Sequence, residues 1–367
     1  MTSTELLISS DSHAQIAHER VKAHLATKFH DDYDTAVAGF TQRMSAGAGA
    51  VNQAWQTQRA AAPEMNSFRM RNMGRAGHSD GAARIADMDT DGVHQEVIYS
   101  EVSAFRFVGD LKSGTTEAVR AFNDAMHEYG SADPIRLIVS YQIPLHDIDV
   151  SVQEVQRVAA RGGKSLQLPV FPPELGFPDY FHERYDPLFA AIQETGLPIC
   201  CHIGLNTMLD DLTRRDPTPD RAVMVPMTAM SSAEALGMWI LGGVFERFPR
   251  LKVVFVEPGL GWIAWWLSTV DDMVTRQGYN VPAISELPSF YFHRNVFVTF
   301  IDEHDALASD ILRNRLGVEN IMWSSDYPHP VTSWPNSHAI VEQQLGGLPA
   351  HERELVVAGT AKRVWNL

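Results

Sequence analysis

The chain has 367 residues, 45% hydrophobic and 20% charged, with a formal net charge of −15 and a pI of about 5.4. That composition suits a globular protein with a large core, and its acidic balance argues against a nucleic-acid or anionic-membrane surface and for a soluble enzyme. No apolar run approaches the ~20 residues of a membrane span, Met1-Thr2-Ser3-Thr4-Glu5 lacks the basic and apolar regions of a signal peptide, and the adjacent Cys200 and Cys201 read as small core residues of a reducing compartment, so the cytoplasm is the expected location.

Glu5 to Ser10 reads as a short apolar strand that runs into Asp11-Ser12-His13. Residues two apart on an extended chain face the same way, so Asp11 and His13 point together, as a metal-ligand pair or on a solvated turn. Residues 14–80 do not share the pattern that follows them. Helices are expected over Tyr33 to Met44 and Ala50 to Ala62, with Gly47 and Gly49 between them and the Met- and Arg-rich run Met65 to Arg71 behind. This reads as a helical insertion after the first strand: a lid over a site, a packing element or a subunit contact.

From there helices and strands alternate. Ala82 to Asp89 is expected as a helix and Gln95 to Tyr99 as a strand. Thr115 to Tyr129 and Arg136 to Tyr141 form the next pair. Val150 to Arg161, stopped by Gly162-Gly163, precedes the strand Ser165 to Leu168. Tyr185 to Thr195 precedes Pro198 to Cys201, which ends at His202. The helix Ser231 to Phe245 leads to Leu251 to Val256, which ends at Glu257. A helix starts near Gly261, and the strand Val296 to Phe300 ends at Asp302-Glu303. Ala306 to Asn314 is a helix before Asn320 to Trp323, a mostly apolar run that opens onto Ser324-Ser325-Asp326 and His329. Short apolar strands alternating with helices imply a parallel sheet. Eight such strands favour a closed (β/α)8 TIM-like barrel over an open sheet. No repeat or linker divides the chain, so one domain over 1–367 is expected.

In a barrel the C-terminal strand ends share one rim, and chemistry sits there. Asp11 with His13, His202, Glu257, and Asp326 with His329 would meet on it. They are three carboxylates and three imidazoles, a set able to hold a divalent metal. Asp326 could instead cap a turn and His329 pack under a loop, but agreement among four strand ends favours a metal. Glu101 and Glu303 follow strands and either line the pocket or cap helices. Trp262, Trp265 and Trp266 either wall an aromatic pocket or pack in the core. Arg69 and Arg71 either hold a substrate carboxylate or are solvated. No Gly-x-Gly-x-x-Gly follows a strand, so no nucleotide cofactor is expected.

Several pieces together resemble a known family: Ser10-Asp11-Ser12-His13, Cys201-His202-Ile203-Gly204, Val256-Glu257-Pro258-Gly259-Leu260-Gly261-Trp262, Ser325-Asp326-Tyr327-Pro328-His329, and the closing Gly359-Thr360-Ala361-Lys362-Arg363-Val364-Trp365. They resemble the amidohydrolase superfamily, in the branch of aminocarboxymuconate-semialdehyde decarboxylase and related aromatic-acid decarboxylases. The resemblance implies that Asp11, His13, His202 and Asp326 hold a divalent metal, with Asp11 in place of the first His or Glu of the usual pair. It also implies a proton-transferring His at the strand end where this chain has Glu257. The carbamylated lysine of dinuclear hydrolases is not evident: the strand Ser165 to Pro169 has no lysine at its end, and Lys164 lies at the other end.

Glu257 opens a further expectation. Three carboxylates and three imidazoles could hold two iron or manganese ions, with Glu257 or an aspartate bridging and Glu257 and His329 as the added ligands. The chain then resembles a dinuclear offshoot of the superfamily, in which oxygenases use dioxygen to hydroxylate small molecules. The expectation leans to such a monooxygenase, acting on a small organic substrate that is aromatic if it follows the family. The alternative is a mononuclear zinc or manganese hydrolase or non-oxidative decarboxylase, with Glu257 or His329 moving protons. A non-catalytic partner subunit is a third reading. The resemblance implies a homo-oligomer, a dimer.

Overall fold

A computed structural model describes residues 5–47, 72–204, 224–277 and 280–367. Its strands are β1 (Leu7–Ala14), β2 (Val93–Ser100), β3 (Leu137–Gln142), β4 (Ser165–Gln167), β5 (Ile199–His202), β6 (Val253–Val256), β7 (Val296–Phe300) and β8 (Ile321–Trp323). They form one eight-stranded sheet in sequence order, and every paired neighbour is parallel. The seam between β8 and β1 is closed just beyond β8. Asp326 N–H donates to Asp11 O at 3.0 Å and His13 N–H to Tyr327 O at 2.7 Å. Ser325 N–H adds a bond to Ser9 Oγ at 2.8 Å. The result is the expected (β/α)8 barrel.

Apart from His94, every strand residue is buried. A strand covered by helices outside and packed by side chains inside has no wet face, which is why these strands read as apolar runs rather than as alternation. The crossover helices include α1 (His18–His24) and α2 (His30–Gly47) after β1, and α3 (Gly81–Asp91) before β2. α4 (Thr115–Gly130), α5 (Ile148–Ala160) and α6 (Asp186–Thr195) follow the next strands. α7 (Met224–Leu241) and α8 (Gly261–Arg276) flank β6. Trp239, Trp323 and Trp365 are the largest fully buried side chains. Cys200 and Cys201 are free and buried, and burial pushes the Cys200 thiol up to about 11. Among the described residues no helix is long and apolar enough to cross a membrane.

The departures from expectation have local causes. β1 does not stop at Ser10 but runs on to Ala14, with a register shift between Ser9 and Ser12, because the seam supplies partners for its polar half. The helix expected over Ser231 to Phe245 starts earlier and breaks after Leu241. There Gly243 sits at φ 73°, and an added Cβ would meet the Ala283 carbonyl oxygen at 2.5 Å. The helix expected over Ala306 to Asn314 is two short helices, because Ser309 is extended and its side chain accepts from Leu312 N–H to start the second. The expected helix Ala50 to Ala62 and the arginines Arg69 and Arg71 lie outside the described residues.

Candidate metal centre

Five structural facts set the geometry of the rim. Asp11 and His13 lie on one side of β1, fully buried, with Asp11 Oδ1 3.5 Å from His13 Nε2. His202 ends β5, and its Nδ1–H donates to Ile203 O at 2.7 Å, which turns Nε2 toward Asp11 Oδ1 at 3.2 Å. Asp326 follows β8 and brings Oδ1 to 3.2 Å from His13 Nε2. His329 stacks on His13, ring centroids 4.1 Å apart. Glu257 follows β6, its N–H held by Thr299 Oγ1 of β7 at 2.9 Å.

Asp326 and Glu257 have left-handed backbone, at φ 49° and φ 62°. Non-glycine residues rarely adopt it, and it tends to persist where the surroundings over-determine a functional group. Here the strand ends turn sharply enough to aim both carboxylates across the barrel mouth.

The donor atoms fit a cation. Asp11, His13 and His202 each offer a ligand atom within 4.8 Å of the others. Asp11 Oδ2, Asp326 Oδ1 and both ring nitrogens of His13 are buried without a hydrogen-bond partner. Buried polar atoms are normally paired, so a group of orphans pointing at one another marks a place for an ion. Two imidazoles and two carboxylates suit a first-row divalent metal.

The charges respond to this crowding. Burial lowers His13 below the usual imidazole range, helped by His329. Burial also opposes charge on His202, but Asp11 and then Glu257 outweigh it and hold the imidazole at about 9. Burial, then Asp326 and Asp11, push Glu257 up to about 8. Burial disfavours charge on His329 too, yet bonds to Asp326 and Glu101 raise it to about 11. His329 Nδ1–H donates to Asp326 Oδ2 at 3.1 Å, and Nε2 lies 3.1 Å from Glu101 Oε2.

Arg84 on α3 braces the site from behind. It is fully buried, donates to the His13 carbonyl at 3.0 Å, pairs with Glu96 at 2.5 Å and lies 3.9 Å over the Tyr327 ring. One guanidinium thus fixes the chain beside both His13 and Asp326. Removing either member of such a buried pair alone costs about 3–5 kcal/mol.

The weaker candidates separate. Glu303 accepts from Leu260 N–H at 3.1 Å and so caps the start of α8. Trp266 packs in the core, whereas Trp265 is 65% exposed. Trp262 is half-buried, with its N–H on the Pro258 carbonyl at 2.6 Å. Glu101 does join the cluster, and so does His78, whose Nε2 is 3.4 Å from Glu101 Oε2. His78 is absent from the strand-end pattern because it sits at the end of the insertion. The loops after β2, β3 and β4, with α2, form a cavity of about 500 Å³, and none of the donor residues lines it. Phe40, Phe105, Phe177, Arg43 and Arg106 line it. Burial lowers Arg106 below the usual guanidinium range against the charges of Glu101 and Glu174.

The family model described as Amidohydrolase matches residues 11–367. The chain belongs to the amidohydrolase family. This amidohydrolase is 25% identical over 273 residues to gamma-resorcylate decarboxylase of Rhizobium radiobacter, covering 71% of this chain and 81% of that one. It is 24% identical over 261 residues to 2-amino-3-carboxymuconate-6-semialdehyde decarboxylase of Dictyostelium discoideum, covering 69% and 67%. Its fold matches 5-carboxyvanillate decarboxylase from Novosphingobium aromaticivorans, solved with manganese and 4-hydroxy-3-methoxy-5-nitrobenzoic acid. That match has a TM-score of 0.70 and 17% identity over 100% of this chain and 97% of the other. The family and branch expected from the sequence are those found, but these relatives are decarboxylases and lend no weight to the oxygenase expectation.

Proposed function

We propose that this amidohydrolase is a metal-dependent, non-oxidative decarboxylase of a small aromatic carboxylic acid. The observation that carries the reading is the place of Glu257, a half-buried carboxyl that follows β6 beside the donor set, where loss of solvent pushes it above the usual carboxylate range, as a proton donor requires. Decarboxylation of an aromatic acid needs a proton donor at the ring carbon that loses CO₂. The sequence relatives named above are decarboxylases, and a cavity lined by phenylalanines and arginines suits an aromatic anion.

Asp11, His13, His202 and Asp326 are the residues that would hold the ion, and a divalent ion there supplies a positive centre that fixes and polarises the oxygens of the acid. The chain's own groups do the rest. The cavity phenylalanines pack the ring, and Arg106 adds positive charge next to it. His329 holds Asp326 in orientation through its Nδ1–H bond. Glu257 gives its proton to the ring carbon that carries the carboxylate. The carbon–carbon bond then breaks, its electron pair returns to the ring, and CO₂ leaves. Glu257 recovers a proton from water.

The test is direct. The manganese-loaded protein is incubated in D₂O with 2,6-dihydroxybenzoate and with 5-carboxyvanillate under an oxygen electrode. CO₂ release, one deuterium at the vacated ring carbon and no oxygen uptake are expected. Oxygen-dependent formation of a hydroxylated product would overturn the reading in favour of the dinuclear oxygenase expected from the sequence.

A further inference from the structure

We infer that Gln142 and Gln167, at the ends of β3 and β4, bind a hydroxyl group on the ring of the substrate and so set which aromatic acids the site accepts. The inference rests on the decarboxylase reading for the kind of molecule in the barrel mouth. It deepens that reading by assigning specificity to two residues that hold no metal and move no proton.

Placement is the first argument. Ser165 Oγ–H of β4 donates to Ser140 Oγ of β3 at 2.9 Å, and Ser165 Oγ lies 3.3 Å from Cys200 Sγ of β5, so these three side chains meet inside the barrel. Side chains two apart on a strand face the same way. Gln142, Gln167 and His202 therefore face inward as well, one step nearer the rim. Gln142 is the register partner of Gln167, and Gln167 that of Cys200. Gln142 Nε2–H donates to Ser100 Oγ of β2 at 2.9 Å, next to Glu101 in the chain. The two amides thus span the arc of the barrel mouth from Glu101 to His202.

Unspent hydrogen-bonding capacity is the second argument. Both glutamines are fully buried, yet Gln142 Oε1 and both amide atoms of Gln167, Oε1 and Nε2, have no hydrogen-bond partner. Their backbones are served by other groups. Asn123 Nδ2–H of α4 donates to Gln142 O at 2.8 Å, and Gln142 N–H donates to Asn123 Oδ1 at 2.9 Å. Gln167 O accepts from Ile143 N–H at 3.1 Å. Buried amide atoms left bare are costly, and interiors rarely keep them unless something binds there. Asp11 Oδ2 and Asp326 Oδ1 of the donor set are orphaned in the same way.

The third argument is what lies on either side. From Gln142, β3 passes through Ile143 to Pro144 and Leu145, which line the 500 Å³ cavity. From Cys200, the register partner of Gln167, β5 passes to His202 of the donor set. The glutamines therefore stand between the cavity and the donors. A ring packed by the cavity, with its acid group at the donors, passes over them.

The free atoms choose the group. Gln167 offers a donor and an acceptor whichever way its amide is turned, and Gln142, bonded to Ser100 through Nε2, adds an acceptor. A hydroxyl matches both: its O–H gives to an amide oxygen, and its lone pairs take the Gln167 N–H. A carboxylate only accepts and would face the two amide oxygens. A methyl group or a bare ring edge would leave all three atoms unpaired. A site built to bond a hydroxyl in this way rejects the analogue that lacks it.

The experiment measures affinity. Manganese-loaded full-length protein is mixed with 2-hydroxybenzoate and with 2,3-, 2,4-, 2,5- and 2,6-dihydroxybenzoate, and Kd is read by stopped-flow tryptophan fluorescence before turnover. The readout, within each protein, is the ratio of Kd for the monohydroxy acid to Kd for the tightest dihydroxy acid. A ratio of at least ~10 is expected in wild type, falling to about 1 in Q167M and in Q142M, since methionine keeps the shape and removes the polar atoms. A purely structural role for the glutamines would shift every Kd together and leave the ratio alone. A wild-type ratio near one, a ratio kept in both variants, or binding of none of these acids would overturn the inference. CO₂ release is followed in the same mixtures. The expected ratios with no CO₂ from any acid would sink the decarboxylase reading and keep the glutamines as readers of a ring hydroxyl. CO₂ release with a ratio that neither variant changes would do the reverse. Melting curves show which variants are folded, and Q142M carries the same prediction if Q167M is not.

Discussion

The half of the rim formed by β1, β5, β6 and β8 differs from the half formed by β2, β3 and β4. The first places Asp11, His13, His202, Glu257 and Asp326 on strands or at their first turn, all but Glu257 buried; Asp326 N–H is bonded to Asp11 O, His202 to Ile203 O and Glu257 N–H to Thr299 Oγ1. The second extends beyond its strands into loops, and those loops make a cavity of about 500 Å³ lined by aromatic rings and guanidiniums. Groups that must hold an ion to a few tenths of an ångström sit on the rigid sheet. Groups that fit an organic ring sit on segments that can vary without moving the ion. Glu101 and His329 lie where the halves meet.

If that division is real, variants in the two halves should fail differently. H202A should lose the ion of the Asp11, His13, His202 and Asp326 set and turnover together, with turnover falling more than ~10³-fold, the scale of losing a unit of the catalytic machinery. Elemental analysis beside a CO₂-release assay reads both, and activity in a metal-free variant would break the assignment.

E257Q should keep its metal while kcat falls by ~10²- to ~10⁴-fold, the usual contribution of a general acid. The same residue makes a pH prediction for chelator-treated protein. Its carboxyl is raised in the fold from 4.5 to about 8, so the stability it contributes is present below 4.5 and is lost as pH rises to about 8. The melting temperature of stripped wild type should therefore fall relative to stripped E257Q across that window. Parallel curves would show that Glu257 is not held protonated.

On the loop half, R106M should raise KM ~10- to ~100-fold with kcat little changed, matching the loss of a charged hydrogen bond to substrate. A fall in kcat at constant KM would place Arg106 with the chemistry and blur the two halves. The smallest effect belongs to E303A, which removes the cap on Leu260 N–H. It should cost about 1 kcal/mol in denaturant unfolding and leave metal content unchanged.

Much of this is legible in the sequence. The alternation of apolar strands and helices gave the barrel, and Asp11 and His13 face together because a strand has a period of two. β1 outruns the stop expected at Ser10, which rests on the polarity of Ser9, Ser10, Asp11 and Ser12. Polar residues read as loop unless it is known that Ser325, Asp326 and Tyr327 will pair with them. Glu303 offered no such ambiguity once placed: its oxygen reaches a helix start rather than the rim.

The chain's own pattern determined which strands exist and which donors stand at their ends, because periodicity and apolar content are local and survive in one dimension. Only the tertiary structure decided that Glu101 reaches both His78 and His329, and that Arg84 supports β1 and the turn after β8 at once. Those residues lie far apart in the chain, on an insertion, a loop, a turn and a helix. No local preference encodes such a meeting; closing the barrel on itself brings them together.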